Sequence, residues 1–211
     1  MSAADTKSGR ESVTGSRSGS RGRNPVRERI IDAAYDLFSM QGISQVGVDK
    51  VIAKSGCAKA TLYNQFGSKD GLIEAYLDRR EAVWTRGWLE TEIHARSTDP
   101  EGRLMAIFDL FDEWFRRTDF EGCAFINALN ETEHNSRLNR LAAEHLAKIR
   151  RILEGCAEAA GLADTGDFAA IWHMMMKGSI TAAQEGNRSA ARLAKRGAAQ
   201  LLASWPRVAT Q

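Results

Sequence analysis

Residues 48–72 read VDKVIAKSGCAKATLYNQFGSKDGL, and this stretch decides the fold of the amino-terminal part of the chain. It contains two short helical patterns that meet at Ser55-Gly56, where a glycine can close a helix in the left-handed conformation. The apolar residues predicted to face inwards are Val48, Val51 and Ile52 in the first pattern and Cys57, Leu62 and Phe66 in the second. Two short helices joined by a glycine turn predict a helix-turn-helix unit.

A further helix precedes this pair. Apolar residues at helical spacing predict it over residues 26–40, with Pro25 just before it and Gly42 just after it. On the other side, Ser68 is a natural N-cap for the next helix. Residues 25–69 therefore form a predicted three-helix unit, the arrangement that lays its last helix in the major groove of DNA.

Longer helical patterns fill the rest of the chain. They cover about residues 69–95, 100–117, 123–132, 136–160, 167–186 and 188–205. Asp99-Pro100 is typical of a helix start, and Gly161 and Gly186 are typical helix stops. No segment alternates apolar and polar residues for the length of a strand. The predicted fold class is all-α, with the three-helix unit followed by a larger helical bundle over residues 70–211.

Composition and charge exclude several classes of protein. The 211 residues, 43% hydrophobic and 27% charged, are enough for a core, and no apolar stretch approaches the roughly 20 residues of a membrane span. Residues 1–24 are rich in Ser, Gly and Arg and poor in apolar side chains, which predicts a disordered basic tail. Residues 1–69 hold 11 Lys/Arg against 6 Asp/Glu, whereas the rest holds 18 against 21, so the amino-terminal third suits a polyanion.

Three segments resemble the DNA-binding signature of the TetR family of transcriptional regulators: Phe38–Gly42, Val48–Ile52 and Ser55–Leu72. The resemblance implies a ligand-responsive repressor that binds a palindromic double-stranded DNA operator as a homodimer. It further implies a DNA-binding face made of Lys59, Ala60, Thr61, Tyr63, Asn64 and Lys69. Lys59 and Asn64 would read bases and Ala60 a thymine methyl group, while the other three residues would contact phosphates.

Two positions depart from the family's pattern. Gly47 stands where the family usually has Ser or Thr before the second helix, and Ala58 stands where a serine often caps the third. Each departure removes a side-chain oxygen that could cap a helix or contact a phosphate. We expect them to reduce DNA affinity without changing the binding mode.

Large aromatic side chains recur along the predicted bundle in greater number than a core requires. Aromatic residues with a few polar groups are typical of a small-molecule site, although aromatic residues at helical spacing are also what a core contains. The candidate effector pocket consists of Trp84, Trp88, Phe108, Phe111, Trp114, Phe115 and Phe125. The expected effector is a small apolar or aromatic molecule.

The last two predicted helices have the character of an interface. One carries a broad apolar stripe, and the other carries a small-residue face that permits close approach. By resemblance they pair with their copies in a four-helix bundle across a two-fold axis, through Phe168, Trp172, Met175, Ala190, Ala194 and Leu201. Packing within the chain is the competing interpretation of these side chains.

Catalytic and metal-binding chemistry have no support in the sequence. The four histidines lie on different predicted helices without a paired carboxylate or cysteine at ligand spacing, so no metal site is expected. The chain has no glycine-rich phosphate loop and no Gly-x-Ser-x-Gly, so we predict neither an enzyme nor a cofactor. Its three cysteines form no Cys-x-x-Cys, which favours a reducing cytoplasm.

Two other functions stay open. Cys123 lies near a predicted loop and the candidate pocket, so the same fold could sense oxidants or electrophiles through its thiol. The other alternative is a helical ligand-binding or adapter protein without a DNA function. The basic amino-terminal third and the motif argue against this second alternative.

Overall fold

Helices make up every regular element between residues 24 and 209, the part of the chain that the computed structural model describes. Their order is α1 (Pro25–Gln41), α2 (Val48–Ser55), α3 (Lys59–Phe66), α4 (Lys69–Arg80), a π-helical segment (Glu81–Glu90), α5 (Thr91–Arg96), α6 (Pro100–Phe115), α7 (Ala124–Glu131), α8 (Arg137–Ala159), α9 (Thr165–Gln184) and α10 (Ala190–Ser204). The predicted all-α class is confirmed over this range. Of the predicted basic tail, residues 1–23 lie outside the described residues.

The first three helices form the helix-turn-helix unit, and local signals set their ends. Asn24 caps α1, because its side chain accepts hydrogen bonds from the backbone N–H groups of Val26 and Arg27. α2 ends at Gly56, whose φ of 63° is the left-handed conformation that glycine adopts without steric cost. Leu62 has no exposed surface and holds α3 against the other two helices.

One continuous helical path runs from Lys69 to Arg96, through α4, the π-helical segment and α5. The sequence predicted a single helix over residues 69–95, and its extent is confirmed, but the change of hydrogen-bond pattern in its middle was not predicted. In a π-helix each N–H bonds five residues back rather than four, a pattern that is rare and often lies at functional sites. This segment carries Trp84 and Trp88.

The bundle packs α6, α8, α9 and α10 around an aromatic core, with α10 against α6 and α9 and α8 against α7 and α9. Predicted ends are confirmed at Asp99, which accepts a 2.7 Å hydrogen bond from the Gly102 N–H, and at Gly161, which has φ 68°. The largest side chains of the bundle that are less than 2% exposed are Trp172, Tyr76, Phe108, Phe111, Phe125 and Phe168. Between residues 24 and 209, none of the helices is long and apolar enough to cross a lipid bilayer.

Candidate functional site

The outer face of α3 carries most of the residues that the sequence assigned to DNA. Leu62 turns inwards from the same helix and has no exposed surface. The residues left outside are Lys59, Ala60, Tyr63 and Asn64, all exposed, with the half-buried Thr61 beside them. Lys69, also half-buried, is the first residue of α4, so it follows the end of α3 by one short turn. The structure brings five of the six predicted residues together on one helix and places the sixth at the start of the next.

Contacts behind α3 set its orientation against α1. The guanidinium carbon of Arg27 lies 5.0 Å from the centroid of the Phe66 ring, which is within cation–π distance. The Gln65 Oε1 atom accepts a 3.2 Å hydrogen bond from the side-chain amide of Asn24. These contacts hold α3 against α1 and its N-cap and do not involve the predicted DNA-binding residues.

Asp49 on α2 is a neighbour of the predicted DNA-binding face that sequence reasoning missed. Its carboxylate accepts a 3.2 Å hydrogen bond from the Lys59 ammonium, and both side chains are largely exposed. The spacing of ten residues across a turn gives no sequence signal for such a pair, since only the geometry of the turn brings α2 and α3 together. Asp49 thus places a negative charge beside a predicted base-reading residue.

The two departures from the family's pattern have the local effect that was expected. Gly47 and Ala58 occupy the N-cap positions of α2 and α3, and neither provides a side-chain hydrogen bond to the first turn. Helix α4 does have a side-chain N-cap, because the Ser68 hydroxyl accepts a 3.0 Å hydrogen bond from the Gly71 N–H. Helices α2 and α3 therefore begin with less local support than α4.

Comparisons with known proteins agree with this arrangement. A family model described as bacterial regulatory proteins of the tetR family matches residues 30–76. The HTH-type transcriptional regulator LmrA of Bacillus subtilis is 31% identical over 136 residues, which cover 63% of this chain and 64% of LmrA. A crystal structure of a TetR-family transcriptional regulator from Streptomyces coelicolor matches with a TM-score of 0.76 and 26% identity, over 84% of this chain and 94% of that one. In sequence over its amino-terminal helices and in fold over most of its length, the chain is similar to regulators of the TetR family.

Sequence similarity to the curated relatives covers only part of their length. An uncharacterized HTH-type transcriptional regulator of Mycobacterium tuberculosis is 38% identical over 52 residues, and the chain covers 26% of its length. The bundle therefore has to be interpreted from its own side chains.

Three of the seven aromatic residues predicted for the effector pocket line one cavity. The cavity has a volume of about 340 Å³, and the three are Trp84, Trp88 and Trp114. Its remaining walls are formed by Tyr35, Arg80, Val83, Arg117, Asp119 and Glu121. Sequence reasoning missed Tyr35 and Arg80, because Tyr35 belongs to α1 and nothing in the sequence pairs it with the bundle.

The other four aromatic residues do not line this cavity. Phe108, Phe111 and Phe125 are at most 1% exposed and belong to the hydrophobic core, so we correct their assignment from pocket wall to core. Phe115 is half-buried and packs against Phe111, Trp114 and Phe120 instead. The physical reason is that aromatic residues at helical spacing are buried by neighbouring helices unless a gap in the packing faces them.

The polar groups of the cavity form two ion pairs. The Arg80 guanidinium donates a 2.8 Å hydrogen bond to the Tyr35 hydroxyl and lies 3.7 Å from a carboxylate oxygen of Glu121. Arg117 donates two hydrogen bonds, of 2.8 and 2.6 Å, to the carboxylate of Asp119. Burial raises the pKa of Glu121, and the nearby Arg80 partly offsets that rise.

A second set of contacts ties the helix-turn-helix unit to the rest of the chain. Arg79 on α4 pairs with Glu28 and Asp32 on α1. At the end of α7, the Glu131 carboxylate accepts a 2.7 Å hydrogen bond from the backbone N–H of Ser44, in the loop before α2. These contacts join α4 and α7 directly to the helix-turn-helix unit.

Of the six residues predicted for the dimer interface, three are buried within the chain and three keep exposed surface. Phe168 and Trp172 have no exposed surface and Ala190 is 3% exposed, so these three have no area left to bury against a partner. We correct their assignment to the core, where Trp172 packs between Phe108 and Phe168. The predicted residues that keep exposed surface are Met175, Ala194 and Leu201.

The structure favours neither a reactive thiol at Cys123 nor a metal site among the described residues. Cys123 is buried at the start of α7, and burial raises the pKa of its thiol, which disfavours the reactive thiolate. The hypothesis of thiol-based sensing therefore gains no support from the structure. Across residues 24–209, no cluster of three or more His, Cys, Asp or Glu side chains is arranged to hold a metal ion.

Proposed function

We propose that this protein is a ligand-responsive transcriptional repressor that binds a palindromic DNA operator as a homodimer in the cytoplasm and is released by a small apolar or aromatic effector. Residues 25–69 bind DNA, and residues 70–211 bind the effector and form the dimer. Lys59, Asn64 and Ala60 contact bases, and Thr61, Tyr63 and Lys69 contact phosphates. Similarity to TetR-family regulators supports the overall scheme.

One observation carries the DNA-binding proposal. The short helix α3 presents small, basic and amide side chains to solvent, while Leu62 anchors its opposite side in the core. A helix-turn-helix places such a face in the major groove, where lysine and asparagine side chains can pair with guanine and adenine edges. The face has no other partner in the rest of the described chain except Asp49.

Exposed apolar side chains on the last two helices support the dimer. Met174 on α9 is 56% exposed and Leu193 on α10 is 46% exposed, on the two helices whose outer surface also includes Met175, Ala194 and Leu201. A two-fold dimer through this face has to place its two recognition helices about 34 Å apart, or at a related spacing, because successive major grooves on one side of DNA have that spacing.

Selection of an operator tests the proposal. Purified protein is incubated with duplexes of random sequence, bound duplexes are amplified over several rounds, and the products are sequenced. We expect an inverted repeat whose half-sites are about one helical turn apart, roughly 34 Å. The matched control is the Lys59→Ala/Asn64→Ala double variant, which keeps Leu62 in place and should enrich no such repeat.

The outcome that contradicts the proposal is equally clear. If wild-type protein and the double variant both enrich no sequence, and neither binds duplex DNA in a salt-dependent manner, the chain is a helical ligand-binding protein instead. An analytical ultracentrifugation run on the same preparation tests the dimer separately, since a monomer bound to a single half-site would retain base specificity.

A further inference from the structure

The helix-turn-helix unit is attached to the bundle on both sides of α7. Before α7 begins, a carboxylate oxygen of Glu121 lies 3.7 Å from the Arg80 guanidinium, which donates a 2.8 Å hydrogen bond to the Tyr35 hydroxyl on α1. At the last residue of α7, the Glu131 carboxylate accepts a 2.7 Å hydrogen bond from the backbone N–H of Ser44. We call these two contacts the Tyr35 attachment and the Ser44 attachment.

The Tyr35 attachment depends on a buried cation. Arg80 is only 7% exposed, and its guanidinium carbon lies 5.6 Å from the centroid of the Tyr35 ring, within cation–π distance. Removing one partner of a buried charge is costly, so Arg80 keeps both Tyr35 and Glu121 beside it. The cavity between α1, α4 and α7 has a volume of about 10 Å³, which leaves room for no more than one water molecule. The joint is therefore closely packed.

The Ser44 attachment depends on a close approach at Gly42. A Cβ atom at residue 42 would lie 2.8 and 2.9 Å from the two carboxylate oxygens of Glu131, so a larger residue would displace that side chain. The φ angle of Gly42 is 83°, which glycine adopts without steric cost. The bond from Ser44 comes from its backbone, so it positions the loop between α1 and α2 itself.

Helix α7 is bound in turn to the bundle. Phe125 is 1% exposed and belongs to the hydrophobic core. Asn139 on α8 donates a 3.1 Å hydrogen bond to the carbonyl of Leu129, and Gln184 at the end of α9 donates a 3.3 Å hydrogen bond to the carbonyl of Glu121. The two attachments therefore join the helix-turn-helix unit to the same helices that carry the bundle core and part of the predicted dimer surface.

Two attachments fix an orientation that one would leave free. A unit held at one point can pivot about it, whereas α7, about 12 Å long, lies between two points here. In a two-fold dimer the orientation of each unit sets the distance between the two recognition helices. Each base pair added between half-sites moves one of them by about 3.4 Å and turns it by about 34° around the DNA axis. A fixed orientation therefore selects one spacing of half-sites.

We propose that Tyr35, Arg80, Glu121 and Glu131 are positioning residues that set the half-site spacing which the dimer accepts, while α3 sets the base preference within each half-site. The proposal rests on the proposed function, because half-site spacing has a meaning only for a dimer on an inverted repeat. None of the four residues lies on α3, so spacing and base preference are separable by substitution.

The test uses the selected inverted repeat with its spacer lengthened or shortened by one or two base pairs. Competition assays measure the affinity of the full-length protein for each duplex. For the wild type we expect a change of one base pair to weaken binding by about tenfold or more, since the DNA has to be deformed to fit a fixed spacing. In the Tyr35→Phe/Glu131→Ala double variant, which breaks both attachments, this penalty should fall below about threefold.

Half-site recognition should survive in the double variant. We expect the same preferred bases as in the wild type, and affinity for the best spacer within about fivefold of the wild-type value, because the exposed face of α3 is unchanged. A general structural defect would instead weaken binding equally at every spacing. Equal weakening, or a loss of base preference within the half-sites, would overturn the proposal.

Two further variants serve as matched controls. Glu133→Ala removes the same charge from an exposed side chain two residues beyond Glu131, and it should keep the wild-type spacing preference. Glu131→Gln retains a side-chain oxygen that can accept the Ser44 N–H bond, so it should also keep that preference. Urea denaturation establishes that each variant is folded. If the double variant is not, Tyr35→Phe and Glu131→Ala are compared singly, and each should lower the spacing penalty.

The outcomes separate this proposal from the proposed function. If the wild type selects an inverted repeat and the folded variants without the attachments keep the full spacing penalty, the positioning role is wrong and the proposed function stands. If Glu133→Ala relaxes the spacing as much as Glu131→Ala does, the effect is one of charge, and the positioning role is wrong again. If the wild type selects no inverted repeat, the proposed function fails and the spacing proposal fails with it.

Discussion

The outer face of α3 and the tryptophan cavity differ in how far their side chains are buried. On α3 the predicted base-reading side chains are exposed and make few contacts, so they are free to meet a partner. In the cavity, Trp84 and Trp114 are more than nine-tenths buried and touch each other, so the site cannot be separated from the packing of the bundle. Substitutions on α3 should therefore change binding alone, whereas substitutions deep in the bundle should change stability first.

Truncation of a core aromatic residue gives the largest expected effect on the bundle side of this comparison. Trp172→Ala removes a side chain with no exposed surface that contacts Phe108 and Phe168, and we expect a loss of about 3–5 kcal/mol in the free energy of unfolding. Urea denaturation measures it. The control is Met174→Ala on the same helix, which is 56% exposed and should cost less than about 1 kcal/mol.

Equal losses in the two variants would contradict the division between core and surface residues on α9. A loss for Trp172→Ala that vanished at low protein concentration, where a dimer dissociates, would return this residue to the dimer interface.

A buried histidine makes the stability of the bundle depend on pH. Burial lowers the pKa of His173 from 6.5 to about 3, helped by the charges of Lys177 and Arg150. Between these values the unfolded chain binds a proton that the folded chain does not, so the free energy of unfolding falls as the pH drops below 6.5. The slope from this one group approaches about 1.4 kcal/mol per pH unit.

Denaturation at several pH values between 7 and 4.5 checks this dependence. His173→Phe should flatten the curve relative to the wild type, and His94→Gln, at an exposed position, should leave it unchanged. A variant curve parallel to that of the wild type would show that His173 takes up its proton in the folded state.

Local signals explain how much of the DNA-binding unit could be predicted. The end of α1 at Gly42, the turn at Gly56 and the N-cap at Ser68 depend on single residues and their immediate neighbours, and the structure has all three where the sequence placed them. The inward position of Leu62 follows from helical spacing in the same way. Asp49 was missed because its contact with Lys59 depends on how two helices cross.

The cavity could be predicted only in part, because it arises from long-range packing. Spacing identified Trp84 and Trp88 as candidates, but an apolar pattern of this kind is compatible with both α- and π-helical turns, so the change of pattern at Glu81 was not visible. Whether an aromatic residue faces a gap or a neighbouring helix depends on residues far away in the chain. For the same reason Tyr35 on α1 gave no signal as a cavity residue.

Loss of a base contact is the largest expected effect on the α3 side. Asn64→Ala or Lys59→Ala should cost about 1–3 kcal/mol of binding free energy at one symmetric pair of operator positions and little at others. The free energy of unfolding should change by less than about 0.5 kcal/mol, because both side chains are exposed. Competition assays with single-base operator variants measure the first effect. A uniform loss across all duplexes would reassign these residues to the phosphate backbone.

Loss of a phosphate contact should have a smaller and sequence-independent effect. Lys69→Ala should weaken binding to every duplex alike and make the plot of log affinity against log salt concentration shallower by about one unit, since one fewer counterion is released. Tyr63→Ala should also weaken all duplexes alike but leave the salt slope unchanged, because its hydroxyl carries no charge. Discrimination lost in either variant would mean that the residue contacts a base.

The smallest expected effect concerns the ion pair between Asp49 on α2 and Lys59 on α3. Asp49→Asn removes a negative charge from the surface that meets DNA and frees Lys59, so affinity for all duplexes should rise a few-fold at low salt and less at high salt, where exposed charges are screened. Asp109→Asn breaks a Lys–Asp pair with Lys195 on the bundle and changes the net charge equally, so it separates local from overall charge. If DNA affinity rose equally in both variants, the change in net charge alone would explain the gain. A loss in Asp49→Asn alone would show that this carboxylate itself accepts a hydrogen bond from a base, which would make α2 as well as α3 a reader of sequence.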